Sequence, residues 1–181
     1  MSNARKALFA VVGVVGAAIA WYLVSPLFLN TVVDEVFPPA VVVTTAASSS
    51  APTSTQTIEE SPPTTATAEP VLILAGSFID ADDNHKGEGT ASIYQINGRN
   101  VLRFEDFDVT NGPALHVYLV ENADATSLSG FGEYTDLGEL KGNQGNQNYD
   151  LPSTFDPALT GGVVIWCEPF QVVFAVAVLG S

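Results

Sequence analysis

The sequence predicts an all-β outer domain, an antiparallel β-sandwich or barrel-like sheet, preceded by one N-terminal transmembrane helix and a disordered linker. Three observations predict it. Residues 7–24, "ALFAVVGVVGAAIAWYLV", carry no charge; residues 41–70 consist mostly of Thr, Ser, Ala and Pro; and from residue 71 short apolar or alternating runs recur between clusters of turn-forming residues. The boundaries that follow are a cytoplasmic tip at 1–6, a transmembrane anchor at 7–29, an extracytoplasmic linker at 30–70 and a β domain at 71–181.

As a helix, the 18 residues from 7 to 24 would extend about 27 Å, close to the hydrocarbon thickness of a bilayer. Arg5 and Lys6 precede the run and Asp34 and Glu35 follow it, so the positive-inside rule places residues 1–6 in the cytoplasm and the remainder outside. Trp21 and Tyr22 stand near the outer end, where amphipathic rings favour the interface. A cleaved signal peptide is the competing reading, because "AIA" before Trp21 has the small-x-small form of a cleavage site. Cleavage there would leave the apolar start "WYLVSPLFL", so the uncleaved anchor accounts for more of the residues. A buried core helix is disfavoured by the lack of a polar face.

In residues 41–70, 22 of 30 are Thr, Ser, Ala or Pro. Such a stretch buries too little to offset the entropy of ordering it, and it reads as a tether with a polyproline bias.

The strand candidates of the outer domain are "VLILAGSFI", "GTASIYQI", "NVLRFEDFDV", "ALHVYLV", "YTDLGEL", "GGVVIWC" and "FQVVFAVAVL", separated by the turns "DADDNH", "NGR", "TNGP", "ENADATSLSGFG" and "KGNQGNQN". The run from 170 to 179 is apolar on both faces apart from Gln171, which predicts a strand covered on both sides. Strict alternation places Leu115, Val117 and Leu119 on one face and His116 and Tyr118 on the other; Ile165 and Cys167 likewise share a face opposite Trp166.

Charge and motif content narrow the function. The chain carries a formal net charge of -14, with 15 acidic against 4 basic residues after position 70, which would repel phosphate backbones and excludes nucleic acid as a partner. No phosphate loop, nucleophile elbow, paired-cysteine metal motif or HExxH sequence is present, so a hydrolase or kinase has no foundation.

Cys167 is the only cysteine, which rules out an intramolecular disulfide and leaves a free thiol, a bridge between chains or a ligand. The preceding "VVIW" predicts burial, where cysteine behaves as a small apolar group, and adjacent Glu168 with no nearby Lys or Arg opposes a low thiol pKa. A thiolate ligand to haem iron or a transition metal stays open if His85 or His116 approaches it. His116 reads as a half-buried residue of a strand. His85 stands in a polar turn beside Asp80, Asp82 and Asp83, whose spacing departs from the helix-flanked calcium loop.

At "FEDFDVTNGPALHVYL", "GNQGNQNYDLP" and "VVIWCEPFQVVFAVAVL" the sequence closely resembles the DM-thirteen domain family, over a stretch from about Gly76 to Leu179. The "SPLF" and "VVDEVFP" segments are also similar to bacterial, membrane-tethered members. The resemblance implies a β-rich extracytoplasmic domain whose characteristic cysteine is Cys167. It also implies a redox or electron-transfer role, since animal relatives carry the domain beside modules similar to cytochrome b-type membrane redox proteins. Glu168 stands where many members have a basic residue, and Ala175 where many have glycine.

The expectation is thus a single-pass protein of the cell membrane with its C-terminal domain outside the cytoplasm. Cys167 would be the redox centre, and His116, Trp166 and His85 would supply a ligand or hydrogen bond, an aromatic wall and a rim group. A redox or cell-surface protein would be its partner. Two rivals accompany it: a binding or adhesion module in which "GNQGNQNY" meets a partner and Cys167 only packs, and a structural metal site using Cys167 or His116.

Overall fold

The computed structural model describes residues 12–16, 21, 29–38 and 69–181. Most of the expected anchor and the spacer from 39 to 68 lie outside the described residues. Residues 12–16 and Trp21 are helical. No helix among the described residues is long and apolar enough to cross a membrane.

Among the described residues nine strands form one curled sheet: β1 (Val32–Asp34), β2 (Val71–Asp80), β3 (Gly87–Ile96), β4 (Arg99–Val109), β5 (Leu115–Val120), β6 (Tyr134–Glu139), β7 (Gln144–Asp150), β8 (Gly162–Cys167) and β9 (Val172–Val178). Their order is β1-β7-β4-β3-β2-β9-β8-β5-β6, and every pairing except β1 with β7 is antiparallel. All-β is therefore the observed class, as a curled half-barrel. Strand β2 makes the curl, because its first part pairs with β3 whereas Phe78–Asp80 pair with β9.

Local chemistry explains the joints. Asn97 and Gly98 both have positive φ, 51° and 77°, between β3 and β4; this is the two-residue hairpin turn whose twist matches the strands. In β4 the spacing of Phe104 and Phe107 would put the rings on opposite faces of a regular strand. The register shift between them, with Asp106 at φ 50°, turns both inward. They meet Phe78 with ring centroids 5.0 and 4.8 Å apart, inside a core shared with Leu115, Val117, Ile165 and Ala177.

A second, smaller cluster lies on the other face of β5 and β8, where Tyr118, Val120, Val164 and Trp166 pack with Ala123, Phe131 and Val173. Phe131 is buried by the 121–133 connection, so the "ENADATSLSGFG" turn is a lid over this face rather than only a reversal. Every residue of β8 is buried as a result. The last strand is central, between β2 and β8, as its two apolar faces require. It begins at Val172, and Phe170 and Gln171 belong to the exposed turn before it, closed by Gln171 N donating to Cys167 O.

Two segments depart from the sequence reading. "KGNQGNQN", read as a turn, supplies β7, and "VVDEVF", read as linker, supplies β1 and its continuation. Neither alternates in polarity; both are held by amide and carboxylate side chains. Glu35 accepts from Asn148 N and pairs with Lys141 at 2.8 Å, Asn146 donates to Asp34, and Asn148 donates to Val36 O. Buried Arg103 donates to Glu35 O and lies 5.5 Å from the centre of the Phe37 ring. Gly145 has φ +96°, and a Cβ there would collide with Val33 O. The edge of the sheet is thus shaped to receive residues 29–37, which cover an otherwise open strand.

Candidate functional site

Strands β5 and β8 carry the sequence-predicted residues, and their pleat sends them to opposite faces. His116 pairs with Trp166, and Leu115 pairs with Cys167. On the inner face Cys167 is fully buried in the main core, and its Sγ donates to Pro113 O at 3.2 Å. Burial pushes the thiol pKa up, the hydrogen bond from Phe170 N opposes this, and Glu168 adds to the rise. A surface cleft of about 340 Å³ runs between the 111–115 segment and residues 139–143, but Cys167 does not line it.

The outer face is polar and aromatic. His116 Nδ1 lies 3.1 Å from both carboxylate oxygens of Asp136 in β6. The Tyr118 hydroxyl donates to Glu168 Oε1, just past the end of β8. Burial, then the Glu168 hydrogen bond and charge, raise the Tyr118 pKa and keep the phenol protonated. Ligand atoms of His116, Asp136 and Glu168 lie within 4.8 Å of one another. Among the described residues, that group of potential ligands does not include Cys167.

The aromatic rings of this face form a column. Trp166 is 1% exposed and stacks on Tyr118 at 6.5 Å and 26°; Tyr118 stacks on Tyr134 at 5.2 Å and 13°. Tyr134 is 46% exposed, so the column reaches from the interior to solvent. Phe131 closes its side at 5.3 Å from Trp166, edge to face. The indole Nε1 of Trp166 is buried and has no hydrogen-bond partner among the described residues. Leaving such a donor unpaired costs about 1–3 kcal/mol, which a phenylalanine would avoid. Packing alone does not explain an indole there.

His85 stands elsewhere, in the turn between β2 and β3. Its Nδ1 pairs with Asp82 at 2.7 Å, and its ring lies 4.2 Å from that of Phe174. The His85 hydrogen bond, followed by the N–H groups of Asn84 and His85, holds the Asp82 carboxyl down at about 2. Asp80 is engaged by Lys86 and Gly87 N. The structure therefore groups His116 with Trp166, puts Cys167 behind them in the core, and leaves His85 in a separate arrangement. Asp136, Tyr118, Tyr134 and Glu168 complete the face without having been singled out from sequence. The alternation that placed Tyr118 beside His116 was the available signal, and Gly138 in "YTDLGEL" marks the bulge that turns Asp136.

These features define a β half-barrel carrying one aromatic and ionisable face on its β8-β5-β6 side. Residues 77–179 match the family model described as electron transfer DM13. The chain belongs to the DM13 family, as the resemblance implied. No curated protein and no solved structure matches the chain.

Proposed function

We propose that this protein is a membrane-tethered, extracytoplasmic electron-transfer protein whose electrons pass through the Trp166-Tyr118-Tyr134 column. The observation that carries the reading is the continuity of that column from a buried indole to an exposed phenol. Neighbouring rings with centroids 6.5 and 5.2 Å apart offer successive sites for a one-electron vacancy. The phenol that would lose an electron also has a proton acceptor in place, since Tyr118 already donates to Glu168. A one-electron acceptor docked at Tyr134 takes the electron while Glu168 holds the Tyr118 proton; when a one-electron reductant returns the electron, Glu168 returns the proton to the phenol. The partner is therefore a redox protein or a metal- or haem-bearing module of the same membrane.

Support for the location comes from the uncharged 7–24 run behind Arg5 and Lys6. The docked 29–37 segment would then hold the domain close to the end of the anchor. Cys167 follows Trp166 in the chain, but its thiol faces the core with a raised pKa. This supports a packing role beneath the column, with no thiolate chemistry.

Photochemical one-electron oxidation of the full chain in detergent, followed by electron paramagnetic resonance, tests the reading. A tyrosyl radical is expected in the native protein and in Cys167→Ala, and its yield should fall in Tyr118→Leu. Equal radical yields in Tyr118→Leu would overturn the column, and loss of the radical only in Cys167→Ala would return the centre to the cysteine.

A further inference from the structure

We propose that His116, Asp136 and Glu168 bind a divalent first-row transition-metal ion on the outer face of β5, a site that the chain's electron-transfer family description does not assign; it shares Glu168 and its Tyr118 hydrogen bond with the aromatic column, but its test reads metal binding and needs no electron transfer. Three adjacent segments deliver the ligands: His116 from β5, Asp136 from β6 and Glu168 from the turn just after β8. Their donor atoms lie within 4.8 Å of one another. The 3.1 Å between His116 Nδ1 and the Asp136 oxygens suits two ligands of one ion, since metal-ligand bonds of about 2.0–2.2 Å separate neighbouring donors by roughly 3.0–3.5 Å. An ion would replace the proton that now joins them.

Local construction also favours a ligand set over a chance meeting of charges. The β5-β6 ladder shifts register between His116 and Tyr118, so Asp136 stands opposite Tyr118 yet its carboxylate reaches His116. The extra residue is accommodated at Gly138, with φ +100°, and bulges of this kind re-aim side chains beside functional sites. Each carboxylate is braced from outside. Gly138 N donates to Asp136 Oδ1 at 2.7 Å, and the Tyr118 hydroxyl donates to Glu168 Oε1, leaving Asp136 Oδ2 and Glu168 Oε2 for the ion. Such outer hydrogen bonds orient metal-binding carboxylates.

The donor set selects the class of ion. One imidazole with two carboxylates suits borderline ions such as zinc, iron or manganese, whereas calcium takes six to eight oxygens. Three protein ligands leave coordination positions open to water or a second molecule. His116 is 20% and Asp136 40% exposed at the side chain, so the site is reachable from solvent. The net charge of -14 draws cations toward it.

The test is equilibrium dialysis of the chelator-stripped full chain in detergent against Zn²⁺, with excess Ca²⁺ as competitor, followed by the visible spectrum of the Co²⁺ form. One tight Zn²⁺ per chain that Ca²⁺ does not displace is expected. Affinity should fall by on the order of a hundredfold in His116→Gln and about tenfold in Tyr118→Phe, the loss expected when an outer-shell hydrogen bond is removed. His85→Gln, which alters the other histidine-carboxylate pair, should leave it unchanged. The Co²⁺ form should show d-d bands without the sulfur-to-metal charge-transfer band that Cys167 ligation would give. The absence of saturable one-to-one Zn²⁺ binding overturns the proposal. So does full affinity in a folded His116→Gln, or equal competition by Ca²⁺, which would assign the binding to surface carboxylates. A charge-transfer band in the native Co²⁺ spectrum also overturns it, and that measurement needs no variant to fold.

Discussion

Replacing Cys167 with alanine separates a packing thiol from a working one. The sulfur is fully buried between the two sheet halves, among Leu115, Ile165 and their neighbours. Removing it deletes about one methyl equivalent of buried surface and leaves a small cavity, worth roughly 1 kcal/mol. Pro113 O loses its S–H donor as well, which adds about 0.5–1.5 kcal/mol. The sum, about 2 kcal/mol, lowers the thermal midpoint of a domain of this size by roughly 6–12 °C. Calorimetry on the full chain measures that shift. Thiol titration under native conditions measures the other half of the argument. A sulfur reached only by opening the core reacts slower than free cysteine by on the order of a thousandfold or more, and the raised thiol pKa slows it further. Reaction at the rate of free cysteine in the folded protein, or a thermal midpoint unmoved in Cys167→Ala, would refute the reasoning.

The docked 29–37 segment gives three more expectations. Gly145→Val forces a β-branched residue into φ +96° and against Val33 O; β1 should detach, and limited proteolysis should then cut between residues 29 and 38 while β2 to β9 stay protected. Arg103→Met removes a buried charge that holds Glu35 O, Asn148 and the Phe37 ring, and should cost at least about 2 kcal/mol in denaturant unfolding. Acid should release the same segment. Burial raises the Glu35 pKa, but the Lys141 hydrogen bond, Asn148 N–H, and the Lys141 and Arg103 charges together outweigh it and hold the carboxyl below 4.5. A depressed folded pKa means that this contribution is complete above the unfolded value and is lost as the pH falls through the folded one. Protection of the β1 amides, measured against the intrinsic exchange rate at each pH, should therefore fall in the acid range below the usual carboxylate pKa, and Glu35→Gln should abolish that dependence.

Alternation and turn chemistry made the central strands legible. His116 and Tyr118 occupy one face and Leu115 and Val117 the other because a pleat allows nothing else, and the Asn97-Gly98 pair announces its hairpin. Strands β1 and β7 were hidden for the converse reason. "GNQGNQN" has no apolar face to alternate, and its ladder is stabilised by amide side chains, Arg103 and a partner strand over a hundred positions away in sequence. The site was half legible. His116 and Trp166 stand on its face, whereas Asp136 joins through a bulge that only the paired register reveals. Glu168 was weighed only as a charge next to Cys167, and its partner proved to be Tyr118 on the opposite face.

The most direct test of the column is transient absorption after flash photo-oxidation of the full chain, comparing the native protein with Tyr118→Leu. Removing the middle ring leaves Trp166 and Tyr134 without the stack that joins them. The account predicts that a vacancy created at Trp166 moves to Tyr134 in the native protein and stays on the indole in the variant. Transfer at the same rate in both proteins would contradict it.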